Sequence, residues 1–209
     1  MADEKEPGAA APSLAVRVLV AAAAGLATGA VTSLLQNYLG SPWLSLVNSA
    51  SPWLAVMFAA GALWPRPRGA ALAGAAAGLL ELAGYYLTAA ARGYSAGHGI
   101  VVFWAACAVI GGPLFGAAGW AWWRARGRLA SLGAAAVPAA FLAEAAVGYA
   151  WRLHYWSSAL LFTIVAVIAF VLTGLRGHQH ARLALWVLAL LPAGLAAELV
   201  LGLAYNQSF

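Results

Sequence analysis

The chain has 209 residues; 64% are hydrophobic, only 8% are charged, and the mean hydropathy is +0.84. A soluble domain carries roughly 25% charged residues, so a soluble globular fold is excluded and an all-α polytopic membrane protein is expected. The net charge of +5 does not point to nucleic acid, because it comes from Arg at the ends of apolar runs, where it reports topology.

Residues 1–13 hold Asp3, Glu4, Lys5 and Glu6 among Ala, Pro and Gly. That composition predicts a disordered cytoplasmic tail, followed by one transmembrane domain over 14–209. Beyond the tail, ten Arg stand against three Glu, a net of +7, with no further Lys or Asp. A retinal-type Schiff base is excluded for want of a Lys in the bundle. Ionisation of a diphosphate on Asp-rich magnesium motifs is excluded for want of Asp. The single Cys107 excludes an intrachain disulfide. The acidic start, and a first apolar run containing Arg17 and reaching about Leu39, do not suit a secretory signal, so the first helix is expected to be retained.

A span needs about 20 apolar residues to cross about 30 Å of hydrocarbon. In chain order the apolar runs are Leu14–Leu39, Pro52–Trp64, Gly69–Ala91, Gly99–Trp123, Leu129–Ala150, Tyr155–Leu175 and Ala181–Ala204. The second is short, and a repeat precedes it: Ser41-Pro42-Trp43-Leu44, then Ser51-Pro52-Trp53-Leu54. Ser suits a helix N-cap, Pro the first turn and Trp the interface. The repeat predicts a short interfacial helix from Pro42 and a crossing from Pro52, against a re-entrant hairpin as the rival.

Arginine arbitrates between the two. With seven crossings and a cytoplasmic N-terminus, Arg17, Arg66, Arg68, Arg124, Arg126, Arg128, Arg176 and Arg182 fall inside, and only Arg92 and Arg152 outside. That obeys the positive-inside rule. The expectation is seven helices, N-terminus in and C-terminus out, in the cytoplasmic membrane of a bacterium. Gly25/Gly29, Gly74/Gly78 and Gly112/Gly116 predict close helix packing.

Three Glu lie inside spans: Glu81, Glu144 and Glu198. Each is on an odd-numbered helix, about 12, 15 and 17 residues from its cytoplasmic end, or roughly 18–26 Å deep at 1.5 Å per residue. They are expected in one layer of the outer half. A buried carboxylate in hydrocarbon is costly, so such a residue faces the bundle interior and is a functional candidate. In its neutral form it is a proton donor. Glu81, Glu144 and Glu198 are therefore the candidate catalytic residues. Helical spacing puts Tyr85 on the face of Glu81, Phe141 and Trp151 on that of Glu144, and Tyr205 on that of Glu198. Trp53, Trp104 and Trp156 open the even helices at the same level. These seven are the candidate substrate-binding residues, with the interfacial aromatic belt as the structural alternative. The His178-Gln-His180 pair lacks a third ligand, so no metal and no cofactor are expected. The Gly111-Gly112-Pro113 run is expected to kink its helix.

Glu81-Leu-Ala-Gly-Tyr85-Tyr86 and Glu198-Leu-Val-Leu-Gly-Leu-Ala-Tyr205 resemble the acidic-plus-Tyr stretches of small seven-helix membrane terpene cyclases of bacterial and fungal meroterpenoid pathways. The fungal enzymes typically carry Asp in the last helix, where this chain has Glu198. The resemblance implies Glu81 and Glu198 as the catalytic pair, with Glu144 additional. The expected activity is cyclisation of a lipophilic isoprenoid, begun by protonating an alkene or epoxide, with aromatic faces stabilising the cation. The Ala-rich, Arg-only composition also resembles an uncharacterised family of actinobacterial membrane proteins. Two alternatives stand beside the enzyme. One is a small-molecule transporter or a substrate-binding membrane subunit, since the helices look like those of vitamin-binding subunits of energy-coupling transporters. The other is a structural membrane protein with Glu as interhelical glue. The expected partners are the bilayer and a lipophilic substrate, with no nucleic acid.

Overall fold

The computed structural model describes residues 12–176 and 180–207, with side chains through Ala204. The predicted tail lies, but for its last two residues, outside the described residues. The helices are α1 (Leu14–Leu35), α2 (Trp43–Val47), α3 (Ala50–Ala62), α4 (Pro67–Ala91), α5 (His98–Arg124), α6 (Gly127–Ala143), α7 (Trp156–Leu175) and α8 (His180–Gln207). A π-helical segment, Glu144–Arg152, continues α6. No strand occurs among the described residues. Six helical stretches are long and apolar enough to cross a membrane: Leu14–Leu35, Pro67–Ala91, His98–Arg124, Gly127–Arg152, Trp156–Leu175 and His180–Ala204. The protein is a multi-pass helical membrane protein.

The short run is short in the structure too. Helix α3 has 13 residues, about 20 Å of rise, where the hydrocarbon needs about 30 Å. It begins at Ala50 rather than at the predicted Pro52, and neither Ser of the repeat caps a helix. Ser49 occupies the N-cap position of α3, yet its own side chain does not cap the helix. A short helix stands where the interfacial one is expected, as α2, beginning at Trp43. Helix α1 stops at Leu35, where Gln36–Tyr38 turn the chain toward α2.

Glycine sets the helix directions. A Cβ built on Gly25 would lie 2.7 Å from the Ala77 carbonyl oxygen, and one on Gly29 would meet the Glu81 carbonyl. Ascending residues pair with ascending ones, so α1 and α4 run parallel. Gly74 lies on Gly112 and Gly116 on Ala70, so α5 runs antiparallel to α4. Between them, α3 starts beside Tyr85, whose ring is 6.0 Å from that of Trp53, and ends with Gly61 on Gly116. The chain therefore returns along the bundle between α1 and α4. These small-residue seams permit backbone approach that any side chain would block, as the glycine spacing predicts. Pro113 is carried inside α5, which continues unbroken to Arg124.

The core sits where α3, α6 and α7 meet, with Phe58, Val137, Phe141 and Phe162 buried together. Helix α8 runs parallel to α6, with Gly194 against Ala143 and Gly202 against Arg152. At one end of the bundle Arg176 donates to the Trp123 carbonyl at 2.6 Å and stacks 3.9 Å above its ring. The other end carries α2, Arg92, His98 and Arg152.

Candidate functional site

A cavity of about 740 Å³ occupies the α2 end of the bundle, enclosed by the α2–α3 link, α3, α4, α5, the π segment and α8. Helix α5 packs on α3, α4 and α6, and α8 on α6, the π segment and, lightly, α7. The two do not pack closely on each other, and the cavity fills the space between them. Its aromatic wall is Trp53, Tyr85, Tyr86, Phe103 and Trp104. Its polar side is Glu144, Glu198, Arg152, Tyr149 and Ser49.

The π segment builds that polar side. Its turns close over five residues or more instead of four: the Leu153 N–H reaches the Gly148 carbonyl at 3.2 Å, and the Tyr155 N–H the Tyr149 carbonyl at 2.8 Å. The wider turn brings Glu144, Gly148, Tyr149, Arg152 and Leu153 to one side, all lining the cavity. Such segments are rare and concentrate at functional sites.

Glu144 is committed to structure. Its Oε1 accepts from Ser49 Oγ at 2.6 Å and from the Ala50 N–H at 3.4 Å, and its Oε2 accepts from the Ser51 N–H at 3.0 Å. The first N–H groups of a helix have no partner within it, and an anion there also meets the positive end of the helix dipole. A carboxylate from a distant helix thus caps α3. Tyr149 braces the same link: its hydroxyl lies 2.7 Å from Ser49 Oγ and donates to the Ser45 carbonyl at 3.1 Å. Ser45 Oγ in turn lies 2.7 Å from Ser158 Oγ on α7. On the opposite rim, Tyr85 donates to Gln36 Oε1 at 2.9 Å, and Gln36 Nε2 bonds Asn48.

Glu198 is different. It is half-buried in the cavity wall, makes no hydrogen bond to another described residue, and faces the charges of Glu144 and Arg152. The Arg152 guanidinium lies over Gly202, where Nη2 is 3.5 Å from the carbonyl oxygen.

Glu81 stands apart. It is 0% exposed, neither carboxyl oxygen has a hydrogen-bond partner, and it does not line the cavity, although its neighbour Leu82 and Tyr85, one turn on, do. Of the other predicted site residues, Trp53, Tyr85 and Trp104 line the cavity. Phe141 is core, its ring 5.5 Å from Phe162. Trp151 and Trp156 are exposed at 63% and 68%, and Trp156 borders a separate apolar groove between α7 and α8. The Tyr205 side chain and His178 lie outside the described residues. His180 is near the Val171 carbonyl and the Phe170 ring. Among the described residues, no three of His, Cys, Asp and Glu gather closely enough to hold a metal.

Reading from the sequence missed Gly148, Arg152, Ser49 and Ser51 as parts of this site. A signal was present in the spacing: Glu144, Tyr149 and Arg152 recur at intervals of five and three, not the seven that leads to Trp151.

The chain matches, over residues 9–205, the model of a family of unknown function, DUF6518. It belongs to that family. Comparison with the curated proteins and with the solved structures gave no match.

Proposed function

We propose that this protein crosses the cytoplasmic membrane seven times, admits a lipophilic small molecule from the bilayer between α5 and α8, and acts on it with Glu198 as proton donor. The single observation that carries the reading is the state of the three glutamates: Glu144 caps α3 and Glu81 is sealed away, whereas Glu198 faces an aromatic-walled cavity without a hydrogen bond among the described residues. The crossing number is supported by the parallel course of α1 and α4, which requires the chain between them to return. The orientation is supported by the eight-to-two division of Arg between the two ends.

The chemistry that uses these groups is cyclisation of an isoprenoid chain. The Glu198 carboxyl gives its proton to a terminal alkene or epoxide. An internal double bond attacks the resulting cation and closes a ring, and the last cation loses a C–H proton back to a carboxylate. The proton is recovered and the product is an isomer of the substrate. Ring faces of Trp53, Tyr85 and Trp104 supply the cation–π attraction that an alkyl cation needs away from water.

Photolabelling tests the chamber. A farnesyl chain carrying a diazirine, added to native membranes, is expected to label peptides containing Trp104 and Leu201 saturably, with competition by unlabelled farnesol. Unsaturable labelling confined to the exposed leucines and valines of α7 would contradict it.

A further inference from the structure

The Arg152 side chain is laid across α8. Its guanidinium lies over buried Gly202, where a Cβ would collide with its Nη1 and Cζ. The missing side chain thus makes a seat for the guanidinium, and both residues line the cavity. The seat does little to satisfy the charge. A guanidinium has five N–H donors, and this one makes a single hydrogen bond among the described residues, from Nη2 to the Gly202 carbonyl at 3.5 Å. That is long beside the usual N–H···O distance of roughly 2.9–3.0 Å. Arg92 and Arg176, by comparison, reach Ser33 Oγ at 2.8 Å and the Trp123 carbonyl at 2.6 Å. Glu144 does not answer the charge, since both its oxygens are bonded to the start of α3.

We propose that the open side of this guanidinium is an oxyanion subsite, which takes the phosphate or carboxylate head group of a molecule whose apolar chain lies in the cavity. The proposal rests on the reading of the cavity as a chamber for lipophilic molecules, and it adds the class of head group. The guanidinium fork presents parallel N–H donors that match two oxygens of a carboxylate or phosphate. Among the described residues of the cavity wall, Arg152 is the one cationic side chain. An oxyanion there offsets the guanidinium charge that Glu198 faces, and leaves Glu198 as the uncharged acid of the proposed reaction. Glu198 stands one turn before Gly202 on α8, about 6 Å along the axis. A head group on Arg152 therefore places the chain between Glu198 and the aromatic wall of Trp53, Tyr85 and Trp104.

Four dodecyl probes test this. Each carries the same diazirine and differs only in its head: phosphate, carboxylate, hydroxyl or ammonium. The intact protein in phosphatidylcholine vesicles is irradiated with each, and labelling of the Trp104 and Leu201 peptides is normalised to that of lipid-facing α7. The phosphate and carboxylate probes are expected to label the cavity at about tenfold lower concentration than the alcohol, the worth of one charge-assisted hydrogen bond. Arg152→Gln should erase that preference. Gly202→Ala should reduce it with little change in melting temperature, because the three atoms nearest the added methyl belong to the end of a flexible side chain. That variant decides the matter if Arg152→Gln does not fold. The preference should persist in vesicles containing phosphatidylglycerol; its loss there would make Arg152 an anchor for bilayer lipid and overturn the subsite. Equal labelling by all four heads, preference for the ammonium, or a preference that survives Arg152→Gln overturns the subsite and leaves the chamber standing. Absence of cavity labelling by every probe overturns the chamber itself.

Discussion

The Ser51 N–H donates to Glu144 Oε2 at 3.0 Å across 93 positions of chain. Through this bond a carboxylate at the start of the π segment serves as the cap of α3, an apolar helix of only 13 residues. The bond also fixes the α2–α3 link that roofs the cavity.

Removing that cap should be costly. Glu144→Ala leaves the Ser51 N–H and Ser49 Oγ without their acceptor, and a hydrogen bond to a charged group is worth about 1.5–3 kcal/mol. The expected result is a melting temperature several degrees lower in a lipid nanodisc. Glu144→Gln keeps one acceptor oxygen and should fall between Ala and the unchanged chain. Equal melting of all three proteins would remove the capping role.

Glu81 should behave in the opposite sense. Both its oxygens are buried without partners, and an unsatisfied buried polar group costs about 1–3 kcal/mol. Glu81→Met, of similar length, is expected to raise the melting temperature. A lower value would mean that the carboxyl has a partner, such as an enclosed water.

The glycine seams make a graded series. Gly29→Ala drives a methyl into the Glu81 carbonyl and Gly112→Ala one into the Ala75 backbone, whereas a methyl on Gly97 meets nothing within 4 Å. Overpacking of this kind costs about 1–3 kcal/mol. The first two variants should lose stability measurably in thermal melts, and Gly97→Ala should not.

The topology has its own test. In intact cells, a membrane-impermeant maleimide should modify a cysteine placed at Tyr94, in the link after α4, and spare one placed at Ala125, between α5 and α6. The reverse pattern would invert the bundle.

Much of the fold is legible in the sequence because lipid enforces it. Each apolar run became a helix whose ends moved by a few residues, as Gly69–Ala91 became Pro67–Ala91 and Tyr155–Leu175 became Trp156–Leu175. The Ser-Pro-Trp repeat marks α2 and α3, and the glycine spacing marks the seams. The site is less legible, because it depends on register. Regular α-helical spacing puts Trp151 beside Glu144, but the π turn substitutes Gly148, Tyr149 and Arg152, and Trp151 faces outward. That turn goes with bonds to distant residues, Glu144 to Ser51 and Tyr149 to Ser45, which no local pattern announces. The burial of Glu81, on the stretch of α4 whose backbone meets Gly29 of α1, is likewise a matter of which helices pair.

The most direct measurement of the central claim is turnover. Membranes containing the intact protein are supplied with farnesyl- and geranylgeranyl-bearing compounds, as alkenes and as terminal epoxides, and the extracts are read by mass spectrometry and NMR. The account predicts a cyclised isomer of one substrate, abolished by Glu198→Gln while photolabelling of the cavity persists. Folded protein that yields no isomer from any of them, or an isomer formed equally well by Glu198→Gln, would contradict it.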